Sequence, residues 1–249
     1  MNKPLSGRTI LITRTIEGNK LERKKLEELG AKVIEFPLIE IKEPSSLRAI
    51  ENAIKQISRY DWIIFTSANG VHSFFEKIKS KKAIKAKFAC VGPETREALE
   101  DNGFEASFVP KEYLTEELAN ELEKKFDLGG KEILLARAEE SNKNMAKILE
   151  QAGAIVTEAP VYRTVPRIGK EEGKILELVT DITLTSPSTV KGLVANFSVK
   201  EISSRRIKVH CIGPVTAASA KEAGLEVSAS AKVHTVDGLV SEIALRRLT

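Results

Sequence analysis

An internal duplication limits the folds open to this chain more than any other feature of its sequence. Residues 8–37 align without gaps with residues 131–160 at an offset of 123, and fourteen of the thirty positions are identical. A second block aligns 87–105 with 208–226 at an offset of 121, and a shorter one aligns 65–71 with 184–190. Two copies indicate a twofold duplication, because a solenoid needs at least three repeats. We therefore expect two similar lobes.

The first block of each copy predicts a strand, a helix and a second strand. Thr9–Thr13 is a short apolar, β-rich run, and Gly30 fits the left-handed residue that ends a helix. The spacing i, i+3, i+4, i+7 of an apolar helix face recurs at Met145, Ile148, Leu149 and Ala152. Because apolar strands alternate with helices along the chain, the fold class is α/β, with a parallel sheet flanked by helices in each lobe.

Composition excludes several classes of protein. The formal net charge is only +4, and no apolar run approaches the ~20 residues of a membrane span. The amino-terminal apolar run has four residues, too few for a signal peptide, so we expect a cytoplasmic protein that binds neither membranes nor nucleic acid. Cys90 and Cys211 are repeat mates that we expect to lie buried in different lobes, and the three histidines show no partner pattern. We expect no metal site and no cofactor.

Four polar turns follow predicted strands and open predicted helices. Thr66–Asn69 and Thr185–Ser188 offer hydroxyls that cap a helix, and the free N–H groups of its first turn suit an anion. Gly92–Thr95 and Gly213–Thr216 combine a glycine, a proline at the first helical position and a threonine. Ligands of parallel α/β sheets bind beyond the carboxyl ends of the strands, where these turns lie. Each turn taken alone is also an ordinary helix cap.

Three further side chains extend this pattern. Arg14 and Arg137 end the first strand of each copy, where they either clamp a carboxylate or pair with surface acids. Tyr162 breaks the symmetry, because its repeat mate is Ile39; its phenol either donates a proton to a leaving group or packs as Ile39 does. If the lobes face each other, the turns and arginines converge on a cleft for a ligand with several separated negative groups.

The proline-bracketed segments 36–44 and 159–167 predict two extended connectors between the lobes. The duplication alone leaves open whether each lobe joins neighbouring blocks or exchanges them. No nucleotide-binding or nucleophile-elbow motif is present. Two competing interpretations are a non-catalytic binding protein for anionic metabolites and a glycosyltransferase-like enzyme, although the latter requires a nucleotide site.

Six motifs in a fixed order resemble the uroporphyrinogen-III synthase family over nearly the whole chain. They are WIIFTSANGV (62–71), CVGPET (90–95), APVYRT (159–164), LTSPSTV (184–190), CIGPVT (211–216) and HTVDGLV (234–240). The resemblance implies flavodoxin-like lobes with exchanged blocks: residues 1–37 with 166–249, and residues 42–160, joined by connectors 38–41 and 161–165. It implies a cofactor-independent lyase that cyclises hydroxymethylbilane, which bears eight carboxylates, to uroporphyrinogen III with inversion of ring D and loss of water.

The family's functional positions carry over residue by residue. Tyr162 is implicated as the acid that assists loss of the hydroxyl. The substrate-binding positions are Thr66, Ser67, Ala68, Asn69, Gly92, Thr95, Ser186, Ser188, Gly213 and Thr216, to which the pattern of charges adds Arg14. Since two lobes would close on one small molecule, we expect a monomer.

Overall fold

Ten strands, eleven α-helices and two short 3₁₀ helices (Ile57–Arg59 and Lys81–Ala83) form in the computed structural model, which describes residues 3–169 and 172–246. The strands are β1 (Thr9–Ile12), β2 (Lys32–Glu35), β3 (Ile39–Lys42), β4 (Trp62–Phe65), β5 (Lys87–Cys90), β6 (Glu132–Ala138), β7 (Ile155–Pro166), β8 (Asp181–Leu184), β9 (Lys208–Cys211) and β10 (Val227–Ser230). The helices are α1 (Ile16–Glu28), α2 (Arg48–Lys55), α3 (Ala68–Lys77), α4 (Pro93–Asp101), α5 (Thr115–Lys125), α6 (Asn144–Gln151), α7 (Glu172–Leu178), α8 (Pro187–Asn196), α9 (Val199–Ser204), α10 (Pro214–Glu222) and α11 (Val236–Leu245).

Local signals place the duplicated elements correctly. Gly30 and its mate Gly153 follow α1 and α6 with φ of +93° and +86°, a left-handed conformation that glycine adopts without a steric penalty. Met145 and Leu149 are buried along α6, as the apolar spacing predicts. Both copies therefore form the predicted strand, helix and strand.

The chain divides into two compact units, which we call unit 1 (residues 1–40 and 165–249) and unit 2 (residues 41–164). Unit 1 contains a five-stranded sheet in the order β10-β9-β8-β1-β2, with every neighbouring pair parallel. The other sheet has the order β3-β7-β6-β4-β5, and its pairs β7–β6, β6–β4 and β4–β5 are parallel. The predicted α/β class, with a parallel sheet in each of two similar lobes, is confirmed.

Helices cover both faces of each sheet. In unit 1, Leu11 packs with the residues of α8 and α10 on one face, while Ile10 and Ile12 pack with those of α1 and α11 on the other. In unit 2, Phe65 and Ile64 divide in the same way between the two faces. Because successive strand residues point to opposite faces, strands that are buried on both sides are apolar throughout.

The chain crosses between the units in extended conformation. One unit border falls between residues 40 and 41, inside β3, and the other between 164 and 165, inside β7. Both proline-bracketed segments thus form strands. Among the residues that the structure describes, no helix combines the length and apolarity that a bilayer span needs.

His210 corrects the expectation that no histidine has a partner. It is fully buried in β9, and its Nε2 lies 2.7 Å from Asp181 Oδ1. Arg8 Nε donates to Asp181 Oδ2 at 2.9 Å, and Arg8 Nη1 donates to the Ile243 carbonyl of α11 at 2.8 Å. Burial alone would raise the pKa of Asp181, but hydrogen bonds from His210, Arg8 and Thr180 outweigh it and hold that pKa well below its usual range. This buried network ties α11 to the sheet.

Cys90 and Cys211 are buried free thiols, one in each unit, as predicted. Burial raises the pKa of Cys90 to about 12 and that of Cys211 to about 11. Because the thiolate is the reactive form, neither sulfur is prepared for nucleophilic chemistry.

Candidate active site at the carboxyl ends of the strands

Each sheet presents its predicted polar turns at the carboxyl ends of its strands. We call these the unit 1 edge and the unit 2 edge. The unit 1 edge carries Arg14, Ser186, Ser188, Gly213 and Thr216. The unit 2 edge carries Thr66, Ser67, Ala68, Asn69, Gly92 and Thr95, and Tyr162 lies in β7 of the same unit. The predicted site residues therefore form two groups, one in each unit.

Ser67 joins a helix cap to the tyrosine of β7. Its Oγ accepts the Gly70 N–H at 3.0 Å and so caps α3, as the sequence predicts. The same Oγ lies 2.9 Å from Tyr162 Oη. Burial raises the pKa of the Tyr162 phenol above its ordinary value, and the hydrogen bond with Ser67 opposes that rise. The phenol consequently stays protonated through the neutral pH range.

Gly70 provides the space that this contact needs. A Cβ at Gly70 would lie 3.2 Å from both Ser67 Oγ and the Ala136 carbonyl oxygen, and 3.8 Å from the Tyr162 ring. The repeat mate of Gly70 is Thr189, just as the mate of Tyr162 is Ile39. Gly70 is not among the predicted site residues, although the same break in symmetry that identifies Tyr162 also identifies Gly70.

In unit 1, the capping serine, Ser186, forms hydrogen bonds with Thr189 of its own helix and not with a tyrosine of a distant strand. The Ser186 Oγ accepts the Thr189 N–H at 3.2 Å and caps α8. Thr189 Oγ1 in turn accepts the Ser186 N–H at 3.1 Å, which completes a capping box. The turns Thr66–Asn69 and Thr185–Ser188, which we call the TS turns, thus share the serine cap predicted from their sequence. Of the two capping serines, Ser67 of unit 2 is the one that lies within hydrogen-bonding distance of Tyr162.

The glycines of the turns Gly92–Thr95 and Gly213–Thr216, which we call the GP turns, lie beside the side chains of Tyr113 and His234. A Cβ at Gly92 would lie 3.4 Å from the Tyr113 side chain, and one at Gly213 would lie 3.0 Å from the His234 ring. Both backbones are extended, so conformation does not require glycine, and only at Gly213 is the approach close enough to favour it. The prolines that follow occupy the first turns of α4 and α10, as predicted.

Thr95 and Thr216 lie deeper than the other site residues. Each is only 3% exposed, inside the first turn of α4 and of α10 respectively. A role for these turns in ligand binding therefore depends mainly on their backbone N–H groups, and the two hydroxyls remain predicted substrate contacts.

The two repeat-related arginines differ in their surroundings. Arg137 is 3% exposed; it donates to the Asn142 carbonyl at 2.7 Å and forms an ion pair with Glu158. Of the two possibilities predicted from the sequence, pairing with a surface acid applies to Arg137. Arg14 lies half-buried at the unit 1 edge, with its Nε against the first turn of α1 beside Gly18. Glu35, the mate of Glu158, pairs with Arg23 instead.

No group of three or more histidine, cysteine, aspartate or glutamate side chains with the spacing of a metal site occurs within residues 3–169 and 172–246. What the edges do offer is hydroxyls, helix N-termini, an arginine and a protonated phenol. These groups suit the binding of anions and the transfer of a proton.

Comparison with known proteins identifies relatives over nearly the whole chain. A family model described as uroporphyrinogen-III synthase HemD matches residues 21–241. The chain is 30% identical to the uroporphyrinogen-III synthase of Synechococcus elongatus over 256 residues, which cover 97% of this chain and 96% of that protein. It is also 30% identical to the porphyrin biosynthesis protein HemD of Ruminiclostridium josui, over 98% of this chain but 49% of that protein, so it spans about half the length of that relative.

Solved structures show the same fold. The Helicobacter pylori uroporphyrinogen-III synthetase matches with a TM-score of 0.62 at 21% identity, over 94% of this chain and 97% of that one. A mutant uroporphyrinogen III synthase of Thermus thermophilus matches with a TM-score of 0.62 at 16% identity, over 94% and 96% of the two chains.

Two α/β units, each with a parallel sheet that carries polar turns at the carboxyl ends of its strands, define a class of two-unit α/β protein. The family match specifies which one: the chain belongs to the uroporphyrinogen-III synthase family. The family and the synthase function expected from the motifs are confirmed.

Proposed function

We propose that this chain carries out the synthase reaction with Tyr162 as its acid and with the two edges as binding sites for the substrate's carboxylates. The substrate is hydroxymethylbilane, and the reaction is loss of water followed by ring closure with inversion of ring D. The observation that carries the proposal is the hydrogen bond between Ser67 and Tyr162, at 2.9 Å.

The proton inventory of this contact supports an acid role. Since Ser67 Oγ already accepts the Gly70 N–H, the serine's own proton is available for Tyr162 Oη. In that arrangement the phenolic proton points away from Ser67, towards a departing hydroxyl. Burial keeps the phenol protonated at neutral pH, as a proton donor requires.

The remaining site residues act by holding the substrate. A charge-assisted hydrogen bond to a carboxylate contributes about 1.5–3 kcal/mol, and several such bonds fix the pose of a flexible chain of pyrroles. Positioning contributes up to ~7–11 kcal/mol to a reaction, which is ample to select between two modes of ring closure. Orientation therefore decides the isomer, while Tyr162 assists departure of the hydroxyl.

The test is isomer analysis of the product formed from fresh hydroxymethylbilane, with and without the protein. Without enzyme the substrate closes without inversion to the type I isomer, so mostly type III product supports the proposal. Only type I product in the presence of folded protein would overturn it and favour a non-catalytic binding protein.

A second measurement assigns the acid. Tyr162→Phe should lower kcat by about a hundredfold, at the low end of general acid contributions, and leave KM nearly unchanged. Tyr60→Phe is the matched control, because Tyr60 is also buried but precedes β4 at the opposite end of the sheet. Equal kcat for Tyr162→Phe and the wild type would remove Tyr162 from the mechanism.

A monomeric state, the absence of a nucleic-acid partner and a cytoplasmic location belong to the same proposal. Size-exclusion chromatography with light scattering tests the first of these directly.

A further inference from the structure

Three exposed aliphatic side chains at the unit 1 edge have glutamates as their repeat mates at the unit 2 edge. Ile16, Val215 and Val233 are 54%, 55% and 55% exposed. With the offsets of the two aligned blocks, their mates are Glu139, Glu94 and Glu112 respectively. The equivalence extends to the last pair because the side chains of the residues that follow, Tyr113 and His234, lie beside Gly92 and Gly213 respectively.

Helix chemistry favours the glutamates and not the aliphatic residues. Glu94 and Val215 both occupy the second position of a helix that begins with proline. An acidic side chain there interacts favourably with the helix dipole, by about 0.3–1 kcal/mol. At the equivalent position of unit 1, Val215 lacks that interaction and exposes apolar surface. A single exposed valine is ordinary, but the same exchange at three positions of one edge indicates a selected surface.

Other charged positions do not cancel this difference. Lysine occupies both members of the pair Lys111 and Lys232, and glutamate occupies both members of the pair Glu17 and Glu140. Asp237 of α11, the mate of Glu116, forms an ion pair with Lys25 at 2.5 Å. Glu117, also in the first turn of α5, has Gly238 as its mate. The unit 2 edge therefore carries four glutamates that the unit 1 edge lacks, and its arginine, Arg137, is already paired.

We propose that the unit 1 edge receives most of the substrate's carboxylates together with the apolar faces of its pyrrole rings, and that Ile16, Val215 and Val233 are its specificity-determining contacts. This inference rests on the proposed function, which supplies an occupant with eight carboxylates. An aliphatic side chain beside an anion-binding turn contacts a pyrrole ring without repelling the carboxylate next to it. A glutamate at the same position adds that repulsion. The unit 2 edge, with its glutamates, contributes the acid and few carboxylate anchors.

The test replaces valines of the unit 1 edge by the glutamates that occupy the equivalent positions of the unit 2 edge. Val215→Glu and Val233→Glu are made in the full chain, and KM and kcat for hydroxymethylbilane are measured with the thermal unfolding midpoint. We expect KM to rise about fivefold or more with little change in kcat, as one added like charge near a carboxylate requires. The rise should shrink at high salt. The midpoint for Val215→Glu should stay the same or increase, because glutamate suits the first turn of α10.

Two controls separate local charge from other causes. Val215→Gln adds a polar group without charge, and Leu178→Glu places the same charge on a side chain that is 58% exposed at the end of α7, before β8 begins at the opposite end of the sheet. Val215→Gln should raise KM less than Val215→Glu does, because it loses the aliphatic contact without adding a charge, whereas Leu178→Glu should keep KM within about twofold of the wild type. Unchanged KM in both Val→Glu variants, or an equal rise in Leu178→Glu, would overturn the inference.

A binding measurement keeps this test independent of catalysis. Uroporphyrin III, a stable porphyrin with eight carboxylates, is titrated into the same variants by calorimetry. Weaker binding by Val215→Glu but not by Leu178→Glu supports the inference even in a protein that makes only the type I isomer, a result that would overturn the proposed function alone. Equal affinity in all variants would overturn the inference while leaving synthase activity intact.

Discussion

Replacing Ser67 by alanine removes two hydrogen bonds at once, and the internal repeat offers a way to separate them. The change deletes the cap of α3, which costs about 1 kcal/mol, and the contact with Tyr162, which costs about 1 kcal/mol more. We therefore expect Ser67→Ala to lower the free energy of unfolding by about 2 kcal/mol. Ser186→Ala deletes the corresponding cap of α8, which has no tyrosine contact, and should cost about 1 kcal/mol.

A double-mutant cycle measures the contact itself. Tyr162→Phe alone should cost about 1 kcal/mol, and the double variant with Ser67→Ala about 2 kcal/mol, because the shared hydrogen bond is lost only once. Urea titrations of the four proteins give these values. If the two single costs simply add, to about 3 kcal/mol, the hydroxyls do not interact and the reasoning from their 2.9 Å separation fails.

The same cycle tests whether Ser67 positions the acid. Ser67→Ala should lower kcat about tenfold in the wild-type background but have almost no further effect in Tyr162→Phe, because it acts through the phenol. Ser67→Thr keeps a hydroxyl and should restore most of kcat. An equal loss of kcat in both backgrounds would show that Ser67 acts on the substrate directly.

Three further predictions concern other parts of the molecule. Gly70→Thr, which copies Thr189 of unit 1, should lower kcat about tenfold without raising KM, because a Cβ would already lie 3.2 Å from Ser67 Oγ; wild-type kcat would contradict this. Arg14→Ala should raise KM about tenfold through loss of a charge-assisted hydrogen bond, and an unchanged KM would place the carboxylates elsewhere. Asp181→Asn should lower the free energy of unfolding by about 3 kcal/mol at pH 7, because it leaves buried Arg8 uncompensated. The pKa of Asp181 in the folded protein lies below the unfolded value of about 3.9, so its contribution to stability is present above that pH and is lost as the pH falls. In urea titrations, the difference in unfolding free energy between wild type and Asp181→Asn should therefore be smaller at pH 3 than at pH 7. Equal differences at the two pH values would refute the assignment.

Repetition within the chain makes much of the site predictable from its amino acids. The TS and GP turns can be located because each occurs twice at matching positions, and Ser67 and Ser186 do cap the helices that follow. Tyr162 can be selected because its mate, Ile39, breaks the symmetry. The repeat does not predict the environment of Arg137, which is aligned with Arg14 but is buried and forms an ion pair with Glu158.

Local sequence signals predict the duplicated units, their parallel sheets and the helix caps, because those features depend on interactions over a few residues. Hydrophobic periodicity, capping hydroxyls and the left-handed Gly30 each act over a few residues, so they can be recognised in a short stretch of sequence. The pairing of distant groups, Arg8 with Asp181 and Ser67 with Tyr162, is instead a product of the folded chain. Those contacts depend on the strand order, since a hydrogen bond forms only where the sheet brings two side chains within about 3 Å, and no local pattern encodes that distance.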